Sequence, residues 1–266
     1  MNFKDKVFVI TGSTRGIGRE LARQVLVAGG KVCLNGRNAE SEAALRHYFS
    51  EYKDQIHFVA GNTSNKTEAV QLIQQAISHF GKIDFLITNA GMSGTGKFEE
   101  SDISVFEEII NSNIYGSIFP VHAALSELKK NKGSILLISS LAALHGIPEY
   151  AAYSSGKMAL TGFWQSLRKE LHHSGIFLGI AYVGFTENDA EKRTYDTSGN
   201  LVQIQDRRRF KPATQEQTAK RILQQLMNKK TLSVHSRLGK FAYWMSRIFP
   251  TTTHRIFLRN YRKNKP

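Results

Sequence analysis

Thr11-Gly12-Ser13-Thr14-Arg15-Gly16-Ile17-Gly18 follows the apolar run Val7-Phe8-Val9-Ile10 and opens a stretch of helical periodicity near 16–29. Context decides the reading, because glycines are common in turns and only a strand before and a helix after make them informative. Between those elements Gly12 permits a tight turn, Gly16 lets the backbone approach a pyrophosphate, and Gly18 allows the helix to pack closely on the sheet. The free N–H groups and positive dipole end of the helix then face the phosphates. Gly12, Ser13, Thr14, Arg15, Gly16, Ile17 and Gly18 are therefore the expected dinucleotide loop.

Outward from this loop the same alternation repeats. Val32-Cys33-Leu34, Ile56-His57-Phe58-Val59, Phe85-Leu86-Ile87, Ile135-Leu136-Leu137-Ile138, Ile176 to Val183 and Thr231 to Val234 read as further strands. Amphipathic stretches near 40–53, 66–80, 103–129, 151–173 and 215–228 separate them. Strands apolar on both faces belong inside a parallel sheet covered by helices on each side. The expected fold is thus an α/β, Rossmann-type, doubly wound sheet of about seven strands over residues 1–235, with ligands beyond the strands' carboxyl ends. Residues 236–266 read as a helical appendage outside the sheet. The polar stretch from about 187 to 211 reads as a long functional loop.

The composition agrees with one domain of this kind. The chain has 266 residues, 41% of them apolar, with five prolines and one cysteine, Cys33. That excludes a disordered tail protein and a disulfide scaffold. The lone cysteine and the absence of an apolar leader make a cytoplasmic chain the expectation. Nine histidines form no ligand-spaced cluster, so no metal is expected.

The second strand ends Leu34-Asn35-Gly36-Arg37. A site for unphosphorylated adenosine ribose usually places a carboxylate there. Gly36 holds that position instead, Arg37 follows it, and Arg15 lies in the glycine loop. Two guanidinium groups and no carboxylate suit a 2′-phosphate, so NADPH is the expected cofactor.

Tyr153-Ser154-Ser155-Gly156-Lys157 lies near the start of a predicted helix, and i, i+4 spacing puts Tyr153 and Lys157 one turn apart on one face. An adjacent ammonium favours the phenolate and brings a phenol toward useful acid–base chemistry at neutral pH. Ser140 ends the fifth strand, where the ligand crevice should open. Thr88-Asn89-Ala90-Gly91 forms a small-residue turn after the fourth, and Asn113 lies inside the next long helix.

The glycine loop, the Asn89-Ala90-Gly91 turn and the set Asn113, Ser140, Tyr153 and Lys157 occur in the order and spacing of the short-chain dehydrogenase/reductase family, which the chain resembles over about residues 4 to 235. The resemblance implies that Tyr153 is the proton donor in carbonyl reduction and that Ser140 orients the carbonyl. It implies that Lys157 binds the nicotinamide ribose and lowers the tyrosine pKa, while Asn113 holds a water behind the lysine. It also implies a dimer or tetramer. The sequence departs from the family pattern in two places. Asn62, with Thr63 beside it, stands where an aspartate commonly bonds adenine, and Val183-Gly184 replaces a Pro-Gly turn. The nicotinamide amide contact near Gly184 then falls to Thr186 or Asn188, or is lost. The expected substrate is a small-molecule ketone, hydrophobic or lipid-derived. A dehydrogenase of a polar alcohol or sugar is the alternative enzyme, and a non-catalytic dinucleotide sensor the alternative class.

The net charge is +14, and it is unevenly placed: residues 207–266 carry +15 and residues 1–206 carry −1. From 237 onward Leu238, Phe241, Trp244/Met245 and Ile248/Phe249 recur at helical spacing with Lys240 and Arg247 opposite. Pro250 ends that helix, and Thr252 or Thr253 is placed to cap a second. Aromatics on one face and cations on the other suit an anionic membrane surface. They equally suit closure over the substrate pocket or packing on a second subunit. No motif that reads nucleic acid is present.

Overall fold

Seven strands are parallel and lie in the order β3-β2-β1-β4-β5-β6-β9 in a computed structural model that describes residues 1–189, 192–204 and 212–263. They are β1 (Val7–Ile10), β2 (Lys31–Gly36), β3 (Ile56–Ala60), β4 (Phe85–Thr88), β5 (Ser134–Ser140), β6 (Phe177–Val183) and β9 (Leu232–Val234). The covering helices are α1 (Gly16–Val27), α2 (Ser41–Tyr48), α3 (Lys66–Phe80), α4 (Ile103–Lys130), α5 (Ala151–Glu170) and α6 (Gln215–Met227).

The continuous apolar strands follow from this layering. Phe8 and Ile10 of β1 pack into one core with Leu21 of α1, Leu45 of α2 and Ile222 of α6. Val9 points the other way, into a second core with Leu72 of α3, Val121 of α4 and Leu160 of α5. Alternate side chains of β1 therefore enter different cores, and a polar side chain on either face needs hydrogen-bond partners. Cys33 lies in the second core, and burial pushes its thiol up to about 12, which leaves it protonated and unreactive.

The strand order reverses between β1 and β4, so the loops after these two strands diverge and leave a crevice at the carboxyl edge. Three expectations need correction. The predicted helix at 40–53 stops at Tyr48 and continues as 3-10 turns over Ser50–Gln55. Part of the stretch expected to be irregular forms an antiparallel hairpin, β7 (Arg193–Tyr195) with β8 (Leu201–Gln203); its residues 190–191 and 205–211 lie outside the described ones. The tail forms α7 (Arg237–Ile248), capped by Ser236, and α8 (Pro250–Lys263). Proline starts α8, as its fixed φ and missing N–H allow in a first turn. Thr253 lies inside the helix and donates its hydroxyl to Phe249 O, so neither Thr252 nor Thr253 is a cap. Among the described residues no helix is long and apolar enough to cross a membrane.

Candidate active site

The glycine loop is fixed from behind by its neighbours. Gly12 has φ +60°, and a Cβ there would lie 2.9 Å from Ala90 Cα; Gly16 has φ +59°. Both need the left-handed region that glycine occupies without strain. Thr11 Oγ1 accepts from the N–H groups of Asn89 (3.0 Å) and Ala90 (2.9 Å), and Asn89 Nδ2 donates to Thr11 O (3.1 Å) and Gly12 O (2.9 Å). The β1 and β4 loops are thereby tied across the switch point. The N-cap of α1 is Arg15, whose side chain makes no cap bond to the helix, a helix start suited to an anion.

A residue the sequence reading left without a role carries much of this architecture. Asn35, 2% exposed in β2, donates to Val59 O (3.2 Å) and Gly61 O (3.0 Å) and accepts from Gly12 N (3.3 Å). Its backbone N–H bonds Ser13 Oγ at 2.9 Å. The signal was a lone amide in an otherwise apolar strand, which burial tolerates only with partners. This bond also turns Ser13, expected among the phosphate-facing residues, into a fully buried structural group.

Gly36 occupies the end of β2, and a Cβ there would fall 2.2 Å from Thr14 Cγ2, so no acidic side chain fits without moving Thr14. Arg37 is exposed and reaches across the crevice, its Nη1 lying 3.4 Å from Met92 Sδ and 3.9 Å from Glu108 Oε1. Arg15 is exposed at the head of α1. Asn62 is committed locally: its Oδ1 accepts from Ser64 N (3.1 Å) and Ser64 Oγ (2.7 Å) at the turn into α3. Thr63 beside it is buried. Thr186 is not turned toward the crevice; its hydroxyl bonds Gly184 O (3.3 Å) and Thr218 Oγ1 (3.0 Å) on α6. Asp189, which the sequence reading passed over, lies beside the loop instead. A Cβ on Gly16 would be 3.4 Å from Asp189 Oδ2, a buried oxygen with no hydrogen-bond partner, and Arg19 Nη2 is 3.8 Å from Oδ1.

Of the four residues expected to do chemistry, Asn113 and Lys157 meet at Gly91, Tyr153 lies one turn from Lys157, and Ser140 stands at the end of β5. Ser140 ends β5 with its hydroxyl partly exposed, accepting from Ala142 N at 3.2 Å. Tyr153 is half-buried in the first turn of α5. One turn later Lys157 is buried, its Nζ 5.9 Å from the Tyr153 ring centre and donating to Ile138 O at 3.1 Å. Burial, with a smaller repulsion from Lys192, lowers this ammonium to about 8. Asn113, fully buried on α4, donates to Met92 O (2.7 Å) and Ile109 O (2.8 Å). Its Oδ1 has no partner. A Cβ on Gly91 would lie 2.6 Å from that oxygen and 3.1 Å from Lys157 Nζ. A buried acceptor and a buried ammonium thus both close on Gly91, which lacks the Cβ that would collide with them; an acceptor without a partner so near an ammonium is suited to a hydrogen-bonded guest. With the cradles at Gly12 and Gly91, these residues fit a dinucleotide. Among the described residues no group of three or more His, Cys, Asp or Glu is placed to hold a metal.

The family model described as short chain dehydrogenase matches residues 6–199. The chain belongs to the short chain dehydrogenase family. It is similar to an 11-beta-hydroxysteroid dehydrogenase-like protein of Arabidopsis thaliana, 30% identical over 92% of this chain and 81% of that one. It is also similar to the 3-ketodihydrosphingosine reductase of Bos taurus, 29% identical over 65% of this chain and 54% of that one. A short-chain dehydrogenase structure from Streptomyces avermitilis superposes with a TM-score of 0.80 over 98% of each chain at 20% identity, and shares the fold. This short chain dehydrogenase is therefore an NAD(P)-dependent oxidoreductase.

Proposed function

We propose that the enzyme reduces a hydrophobic ketone to an alcohol with NADPH. The observation that carries this is the convergence of Lys157 Nζ and the unpartnered Asn113 Oδ1 on Gly91, with the lysine one helical turn from Tyr153. Two further features support it: Gly36 excludes the carboxylate that would favour NADH, and Arg15 and Arg37 supply guanidinium groups at the same edge. Relatives named for steroid and ketosphingosine substrates favour a hydrophobic ketone.

Gly12, Thr14, Gly16, Ile17, Gly18, Asn89, Ala90 and Gly91 would hold the dinucleotide, with Arg15 and Arg37 on the 2′-phosphate and Asn62 and Thr63 beside the adenine. Thr186 reaches the cofactor only by giving up its bond to Thr218. When bound, the cofactor supplies the hydride. Ser140 Oγ donates a hydrogen bond to the substrate carbonyl oxygen, which orients it and disperses its growing negative charge. Tyr153 gives that oxygen its phenolic proton. The Lys157 ammonium stabilises the phenolate left behind, with greater effect in a desolvated site than in water. A water held by Asn113 behind Lys157 would give the proton a route back to the tyrosine.

The test is initial rates on long-chain and polar ketones with each nicotinamide cofactor. The expected result is a preference for NADPH and for long-chain ketones. Arg15→Ala and Arg37→Ala should each weaken NADPH binding about tenfold, the scale of one charge-assisted bond to an exposed phosphate, with little effect on NADH. Equal use of the two cofactors, or faster turnover of sugar-like ketones, would overturn the assignment.

A further inference from the structure

Helix α7 turns its apolar side outward. Leu238, Phe241 and Trp244 are 73%, 64% and 62% exposed, and Ile248 and Phe249 continue the patch at the helix end. Lys240 and Arg247 run along its flank. A helix folded onto a domain buries its apolar stripe. Here α7 instead presses Gly239 against Leu141 and sets Tyr243 beside Tyr182, with ring centres 6.2 Å apart. Helix α8 packs on α7 and repeats the pattern, exposing Ile256, Phe257 and Leu258 among Arg255, Arg259 and Arg262. From Gln217 to the end the sequence holds twelve lysines and arginines and no aspartate or glutamate.

A contiguous apolar patch of this kind marks an interaction surface. The charge selects its occupant. Exposed aromatics on helices that carry cations and no carboxylate of their own match an interface where rings enter the acyl boundary and ammonium and guanidinium groups meet lipid phosphates. Position adds direction: His145, five residues past Ser140, has its ring 4.2 Å from Phe257 and 5.8 Å from His254. Helix α8 therefore touches the loop that leads away from the catalytic serine, at the carboxyl edge of the sheet.

We infer that α7 and α8 form a docking surface for an anionic lipid bilayer and seat the catalytic edge of the sheet against it. Docking stands apart from the chemistry proposed above; direct entry of a bilayer-dissolved ketone rests on that reading. The full-length chain is sedimented with phosphatidylcholine vesicles and with vesicles containing one-third phosphatidylglycerol, and tryptophan emission is recorded. The anionic vesicles should bind the protein and shift the emission of Trp244 to the blue, while Trp164, already buried, stays constant. Phe241→Glu with Trp244→Glu should lower partitioning at least tenfold. Arg255→Gln with Arg259→Gln should lower it about 25-fold, near fivefold per surface cation, and raised salt should weaken binding of the unmodified chain. The two double variants alter separate helices, so misfolding of one leaves the other as the test. Equal sedimentation with neutral and anionic vesicles, or none with either, overturns the inference. So does a dimer in gel filtration that both double variants dissociate without any change in vesicle binding. Each outcome is read without turnover, so failure of the docking and failure of the enzymatic assignment remain distinguishable.

Discussion

Replacing Lys157 with methionine keeps the length and removes the buried charge. Burial lowers the lysine from 10.5 to about 8 in the folded chain, a gap worth about 3 kcal/mol. Below pH 8 the ammonium is present in both the folded and unfolded states, and the folded state carries the whole desolvation cost. Between pH 8 and 10.5 the folded lysine releases its proton first, so the unfolded chain binds more protons and stability rises with pH. The methionine variant lacks this titration. Constant losses, such as the bond from Nζ to Ile138 O, cancel when the two proteins are compared across pH. Urea unfolding at pH 7, 8.5 and 10 should show the unmodified protein gaining about 2–3 kcal/mol relative to Lys157→Met by pH 10. A difference that stays flat, or moves the other way, would refute a desolvated ammonium beside Tyr153.

Two other substitutions probe the cofactor edge. Gly36→Asp forces a Cβ into Thr14 Cγ2 and should destabilise the fold by about 1–3 kcal/mol, with Thr14→Ala in the same chain recovering most of it; a neutral single variant in urea unfolding would show that the contact yields freely. Asp189→Asn removes an anion beside the first residue of α1 and should tighten NADPH binding about fivefold, as a charge near a helix N-terminus is worth about 1 kcal/mol. Fluorescence titration reads this, and an unchanged Kd would place the carboxylate outside the phosphate field.

The α/β alternation and the glycine loop were legible because they depend on periodicity and on residues with one physical use. Tyr153 and Lys157 were legible as a pair because four residues make one helical turn. The sequence did not disclose what long-range partners decide. The β7–β8 hairpin has three-residue strands, too short for a pattern, and is held by remote bonds such as Thr194 Oγ1 to Ser93 O at 2.8 Å. Ser13 is claimed by the backbone of Asn35, twenty-two residues away, so its burial leaves no local trace. Thr186 is taken by Thr218 in the same manner, across thirty-two residues. Helix α8 starts at Pro250, which the sequence pattern alone marks as the end of α7, because proline ends one helix and begins the next with equal ease.

The most direct measurement is NADPH oxidation by Tyr153→Phe with a long-chain ketone, alongside NADPH binding by fluorescence. Loss of the phenolic proton should lower turnover at least a hundredfold, the lower end for a general acid, while the Kd for NADPH stays within about twofold. Turnover near that of the unmodified enzyme would contradict Tyr153 as the proton donor and, with it, the chemistry assigned to this site.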